Sequence, residues 1–494
     1  MVFPIVGGTQ STGYEISNSL RFNSPDNAHL HITPNASNRD LYTISLWAKR
    51  SSLNNGVRQV LFGVGNPGTT NQVGFEMRFD DSAGDGKLRI TDYVAGVGDY
   101  LVLKTNALFR DPSAWYHIVF VYDSAQGTDS NRAKVYVNGN QITSFSTATY
   151  PNQNQDSAVG SNTKHLIGAH DNSQNEYDGY MTEVHYIDGA AKAQTDFGEF
   201  DDNAVWIPKK YTGTYGTNGF FLEFKQTGTS ANSSGMGADT SGNDNHLTPT
   251  NLAATDVTED TCTNNFATLN SVDANTAAAP TLAEGNLDFH APSGTPFTPA
   301  RSTIAVSQGK WYMEYKFIDE GGGVGVMTTQ SPINDHLRDD ADVRSVYRGH
   351  GGYYYGRNNG GAVDDDGGNS VTLSANDIVG VALDLDNGYV YFSKNGTYMN
   401  GQDGSTQGNP AGNNGGSGGA ANVSSQLLTN QHDGVWAFMA YDISTSTTGR
   451  VQCNFGNPPY SISSGNNDGK YGNFEYAPPS GFYALCTKRL AEFG

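Results

Sequence analysis

Cysteine is nearly absent from this chain: Cys262, Cys453 and Cys486 are the only three in 494 residues. Three thiols cannot build a disulfide framework, and none sits in a CxxC, so a zinc knuckle is not supported. Cys453 and Cys486 could pair, but free buried thiols are the expectation. Charge is scarce too, at 16% of residues, and it is lopsided. Lys plus Arg total 29 against 50 Asp plus Glu, a formal net charge of −21. Such a chain repels a phosphate backbone and an anionic lipid surface, which argues against nucleic-acid partners and membrane binding. No run approaches the ~18 apolar residues of a membrane-spanning helix, so no membrane insertion is predicted. Met1–Thr12 lacks the basic start and apolar run of a secretory signal, so standard export is not indicated.

Turn formers and aromatics are abundant: Gly 60, Tyr 27 and Phe 23. That composition suits many short strands and tight turns rather than helices. The length predicts two or three domains, and a 36% hydrophobic content can fill two cores.

Residues 1–16 read as an extended arm in which Val2, Phe3, Ile5 and Val6 could dock on a partner. Residues 17–225 follow a period of two. Tyr42, Ile44, Leu46 and Ala48 share one face, as do Tyr116, Ile118, Phe120 and Tyr122. After Val135 and Val137, the pair Asn138-Gly139 tolerates the positive φ values of a two-residue hairpin. Residues 226–303 hold few large apolar side chains and read as an irregular connector. From residue 304 the alternation returns in Trp311, Met313, Tyr315 and Phe317, and in Val379, Val381, Leu383 and Leu385. The glycine-rich stretch 401–420 reads as a long mobile loop. The predicted architecture is all-β: two β-sandwich (jelly-roll) domains, 17–225 and 304–494, joined by the connector.

The first of these domains resembles a laminin-G-like, concanavalin A-like sandwich. The resemblance is carried by YTISLWAKRS (42–51), AWYHIVFVYD (114–123), KVYVNGNQI (134–142) and LIGAHDNSQNEYDGYMTEVHYIDGA (166–190). Residues 196–224 and 239–270 resemble segments that recur in tail-fibre and other virion proteins of bacteriophages. The second half resembles a SPRY domain through GKWYMEYKF (309–317), NDIVGVALDLDNGYVYFSKNGTY (376–398) and VQCNFGNPPY (451–460). The glycine-rich insert and the Tyr/Gly stretch before the central motif depart from the SPRY pattern.

Candidate chemistry is sparse. A glycoside hydrolase needs two carboxylates across one bond, and hydrolases of this fold often alternate acids on one strand. No Glu-x-Asp-x-Glu occurs; the nearest cases are Glu183 with Asp188 and Asp384-x-Asp386. His117 and His185 read as packed or exposed strand residues rather than bases. Gly321-Gly322-Gly323 reads as a loop, not a phosphate cradle. The laminin-G resemblance implies calcium at a rim, for which Asp80, Asp81 and Asp85 are the candidate ligands. Asp339, Asp340 and Asp342, and Asp364, Asp365 and Asp366, are further candidate oxygen clusters, and for each cluster a solvated acidic loop is the alternative. A sugar site needs a flat aromatic beside amides, carboxylates or arginine. Tyr347, Tyr353, Tyr354, Tyr355 and Arg357 offer that set among glycines.

The resulting expectation is a non-enzymatic, adhesive virion protein of a tailed phage. It would be a tail fibre or other surface appendage that binds host cell-surface glycan or protein. It would contact other virion proteins, assemble as a homo-oligomer (a trimer by analogy with virion appendages) and be put together in the host cytoplasm. A polysaccharide depolymerase and a capsid decoration protein without a receptor are the alternatives.

Overall fold

A computed structural model describes residues 13–53, 56–65, 73–80, 86–94, 98–170, 175–276, 278–292, 298–319, 321–333, 343–347, 354–358, 361–365, 373–399, 408–412, 434–442 and 448–494. Nearly all regular structure is antiparallel β, with one short α-helix, Thr487–Phe493, among the described residues. The chain divides into two compact units, 11–263 and 264–494.

The first unit stacks two large sheets. One runs Asn140–Ile142, Ala133–Val137, Trp115–Asp123, Leu41–Arg50, Gly179–Asp188, Ser19–Phe22 and Val257–Thr258, with Phe220–Leu222 also on Gly179–Asp188. The other runs Phe145–Thr149, Gly98–Leu108, Lys87–Val94, Val73–Asp80, Arg58–Val64, His165–Ile167, His29–Ile32 and Thr248–Thr250. The alternating residues meet between them as the period of two requires: Tyr42, Ile44, Leu46, Ile118, Phe120 and Tyr122 lie against Phe75, Met77, Phe79 and Ile90, all fully buried. Each such side chain contributes about 1.5–3 kcal/mol of burial. Asn138 and Gly139 take φ of 46° and 78°, the hairpin turn expected of them. Gly139 has a second reason to lack a side chain, since a Cβ there would meet the Trp206 ring at 2.3 Å.

The first sheet is covered on its outer face as well. Val119, Val121 and Ile187 pack under Phe197, Tyr211, Tyr215 and Phe221. Trp47, Trp115 and Tyr180 pack with Ile16 and Trp206. Residues 194–215 thus form a third layer, which is why every residue of Gly179–Asp188 is buried. The stretch 226–303, expected as an irregular connector, is split between the units at residue 263. Its first part is held by a few apolar anchors, Met236, Leu247 and Leu252, in the core of the first unit, and by polar ties. Asp239 Oδ1 accepts the Phe221 and Ser241 amides at 2.9 and 2.8 Å. Lys49 and Asp260 form a buried ion pair at 2.8 Å.

The second unit is also a two-sheet stack. Leu269–Ala274, Ala300–Val306, Trp436–Asp442, Gly322–Thr328, Val343–Tyr347, Tyr354–Asn358 and Gly361–Asp365 make one sheet. Thr281–Ala283, Asp288–His290, Arg450–Asn454, Lys310–Phe317, Ile378–Asp384, Tyr389–Lys394 and Thr397–Tyr398 make the other. Trp311, Met313, Tyr315, Phe317, Val379, Val381 and Leu383 are fully buried in its core, on the faces their spacing assigns. Glu314, on the opposite face, accepts the Tyr476 and Glu475 amides at 2.7 and 2.9 Å and so pins the C-terminal loops to the sheet. Cys262, Cys453 and Cys486 are all free. The arm residues 1–12 and the glycine-rich loop, apart from 408–412, lie outside the described residues.

Candidate functional site

Strand Val73–Asp80 separates two chemistries by simple alternation. Phe75, Met77 and Phe79 enter the core, while Glu76, Arg78 and Asp80 line the opposite face. Cross-strand register adds to that row: Gly74 faces Tyr93, Glu76 faces Thr91 and Arg78 faces Arg89. Arg89 in turn faces Lys104. Gly74 is needed because Tyr93 lies over it, 2.2 Å from where a Cβ would stand.

The charges on this face interlock. Glu76 contacts Arg78 directly and approaches Arg58 at 3.6 Å and His170 Nδ1 at 3.7 Å. Asp80 pairs with Lys104 at 3.2 Å and Arg89 at 3.5 Å, and Arg89 reaches Asp99 at 3.5 Å. The Tyr93 hydroxyl meets His170 Nε2 at 3.3 Å. Glu76, Arg78 and Asp80 are buried, whereas the Arg58 and Asp99 side chains are 47% and 43% exposed. Burial, then the neighbouring Arg58 and Arg89, push the Arg78 guanidinium down to about 9, so it remains charged at neutral pH. A buried row therefore positions a more exposed set: Arg58, Arg89, Asp99, Lys104 and the half-buried Tyr93. Donors, acceptors and an aromatic ring fixed on a rigid sheet suit a polyhydroxylated ligand.

The residues expected from sequence fall out unevenly. Asp80 is already engaged by Lys104 and Arg89, and Asp81 and Asp85 lie outside the described residues. Tyr353 also lies outside them. Tyr354, Tyr355 and Arg357 share strand Tyr354–Asn358, which pairs with Val343–Tyr347, so the structure brings Tyr347 onto the adjacent strand. Asp364 sits across from Tyr355.

Of the two placements open to His117, the structure has it packed: it stacks at 4.7 Å on Trp47, accepts the Trp206 indole N–H at 3.0 Å and is pushed by burial down to about 3. His185 stacks at 4.2 Å on Phe221. Asp384 binds Lys310 at 2.8 Å and the Asn387 amide at 3.0 Å, while Asp386 accepts the Gly309 amide at 2.8 Å, so both tie a turn together. Glu76, Arg78, Arg89, Lys104, Tyr93 and His170 did not emerge from the sequence reading. The signal was present in GFEMRFD (74–80), whose alternating polar residues include both signs of charge.

Comparison with known proteins locates this face in a known architecture. Residues 24–195 match the family described as Laminin_G_3, the concanavalin A-like lectin/glucanases superfamily. They form a concanavalin A-like jelly-roll domain. No curated protein matches the chain. Among solved structures, the SPRY domain of human HERC1 is similar at 14% identity and TM-score 0.25, over 37% of this chain and 96% of that one. The TRIM65 PSpry domain is similar at 14% identity and TM-score 0.26, over 38% and 88% of the two chains. A heptameric SAP-like pentraxin from Limulus polyphemus is similar at 16% identity and TM-score 0.26, over 36% and 80%.

Proposed function

We propose that this protein binds a cell-surface glycan through the polar sheet face of its first unit and does not turn it over. The carrying observation is the buried Glu76–Arg78–Asp80 row beneath the more exposed Arg58, Arg89, Asp99, Lys104 and Tyr93. The Tyr93 ring offers a surface for the apolar side of a sugar. The surrounding charges offer hydrogen bonds to its hydroxyls. A glycosidase instead needs one carboxyl kept protonated beside the scissile bond. Here Glu76 and Asp80 each face cations within one network.

The setting we propose is the surface of a phage virion, as a tail fibre or similar appendage assembled in the host cytoplasm. Its support is the resemblance of residues 196–224 and 239–270 to recurrent virion segments. In this reading the arm's Val2–Val6 segment docks on another virion protein, the arm being shorter than the expected 1–16 because Tyr14 and Ile16 pack on the first unit; the chain forms a homo-oligomer, and the tyrosine strands of the second unit offer a further contact surface. Calcium is a proposed ligand of the first unit's rim. The test is retention of the full chain on immobilised host envelope polysaccharide, with reducing-end release measured in parallel. Saturable retention without release supports the reading; release of reducing ends favours the depolymerase, and absence of retention favours a decoration protein.

A further inference from the structure

On the far side of the same unit, strand Gly179–Asp188 carries a bulge between Thr182 and His185 against strand Leu41–Arg50. The bulge holds Glu183 at φ 51°, in the left-handed region, with its side chain buried. Glu183 forms part of a cavity of about 110 Å³ whose other charged or hydroxyl-bearing walls are Tyr14, Glu15, Ser17, Glu223, Lys210 and Lys225. Tyr14 donates its hydroxyl to Glu183 Oε1 at 3.1 Å. Burial raises the Tyr14 hydroxyl far above its ordinary range, so it stays a donor. The other Glu183 oxygen faces His185 Nε2 at 3.6 Å, longer than a hydrogen bond.

The charges around this cavity do not close on one another. Glu223 and Lys225 pair at 2.5 Å. The Glu183 carboxylate, deep in the wall, has no Lys or Arg partner among the described residues, and Glu15 adds a further carboxylate to the lining. Lys210 is exposed and makes no ion pair among the described residues. A cavity whose inner carboxylate meets a hydroxyl and an imidazole but no Lys or Arg, and whose outer ammonium forms no ion pair among the described residues, is complementary to a ligand carrying the opposite charges in the opposite order.

We propose that this cavity binds a small zwitterion, with its ammonium on Glu183 and Tyr14 and its carboxylate on Lys210. The site lies on the opposite sheet from the glycan face, and its occupant is a small amino acid or an equivalent ammonium–carboxylate group. The volume admits a molecule of a few heavy atoms, not a sugar chain.

Isothermal titration calorimetry on the full chain tests this, using glycine, β-alanine and γ-aminobutyrate as probes, with methylammonium and acetate as single-charge controls. At least one amino acid should give a saturable one-site isotherm, with both controls roughly tenfold weaker or more. Lys210→Met should weaken that amino acid by roughly threefold or more, and its exposure keeps folding intact. Glu183→Gln should abolish binding while leaving retention on polysaccharide unchanged; where this variant does not fold, the Lys210 variant decides. No saturable heat with any of the three amino acids up to about 10 mM overturns the proposal. So does methylammonium binding as tightly as the amino acids, or indifference to Lys210→Met. Loss of polysaccharide retention with intact amino-acid binding counts against the glycan reading alone.

Discussion

Replacing Asp260 by alanine should destabilise the first unit severely, although the residue lies in a stretch that reads as a connector. Its carboxylate is fully buried against Lys49, whose side chain is 1% exposed, at 2.8 Å. Truncation leaves an ammonium inside the protein beside the Tyr180 ring, 5.3 Å away. Stranding one member of a buried pair costs about 3–5 kcal/mol. The double replacement Lys49→Met with Asp260→Leu removes both charges and should cost far less, because the desolvation of both groups disappears with their attraction. The assay is urea denaturation of the full chain followed by tryptophan fluorescence. Trp47, Trp115 and Trp206 report on the first unit, and Trp311 and Trp436 on the second. The first transition should move by roughly 1 M urea or more, and the second should stay in place. A shift below about 0.5 kcal/mol for Asp260→Ala would refute the claim that residues up to 263 are integral to this unit.

Three further outcomes follow from the same geometry. Gly139→Ala should cost about 2 kcal/mol or more in thermal or urea unfolding, because it meets the Trp206 ring at 2.3 Å and sits at φ 78°. Asp92 tests the sign of a buried acid. Burial raises its carboxyl to about 7, against the lowering effect of the Ser157 hydroxyl and Ala158 amide, so the folded state holds a proton that the unfolded state releases near 4. Its contribution is fully present below about pH 4 and is lost as pH rises through about 7. Unfolding free energies from pH 4 to 8 should fall more steeply in the wild type than in Asp92→Asn, and parallel profiles would contradict this. Trp206→Ala should destabilise by about 3–5 kcal/mol, since it uncovers His117 and leaves it without its indole donor; a change under 1 kcal/mol in urea unfolding would count against the third layer.

The two sandwiches were legible in the sequence because alternation has one physical cause, a pleated strand with one face in a core. Tyr42, Ile44, Leu46 and Trp311, Met313, Tyr315 obey it without exception. The third layer was not legible, because His117, Val119 and Val121 look like an ordinary mixed outer face until residues 194–215 fold over them. The stretch 226–263 was misleading for a related reason. Its order comes from widely spaced apolar anchors, Met236, Leu247 and Leu252, and from Asp239, Asn243, Asn245 and Asp260 bonding to backbone and to lysine, and neither leaves a hydrophobic period to read. The polar face escaped notice because charges on a strand read as solvated, yet Glu76, Arg78 and Asp80 neutralise their neighbours and bury together. In the tyrosine stretch the backbone register places Tyr347, Tyr354, Tyr355 and Arg357 on two adjacent strands.

The most direct measurement is equilibrium retention of the full chain on immobilised host polysaccharide, compared with the double variant Arg89→Ala/Lys104→Ala. Both residues are partly exposed, and each contacts Asp80. The account predicts saturable binding by the wild type, a loss of roughly tenfold or more in the variant, and no reducing ends released by either. Unchanged retention by the variant, or sugar release by the wild type, would contradict it.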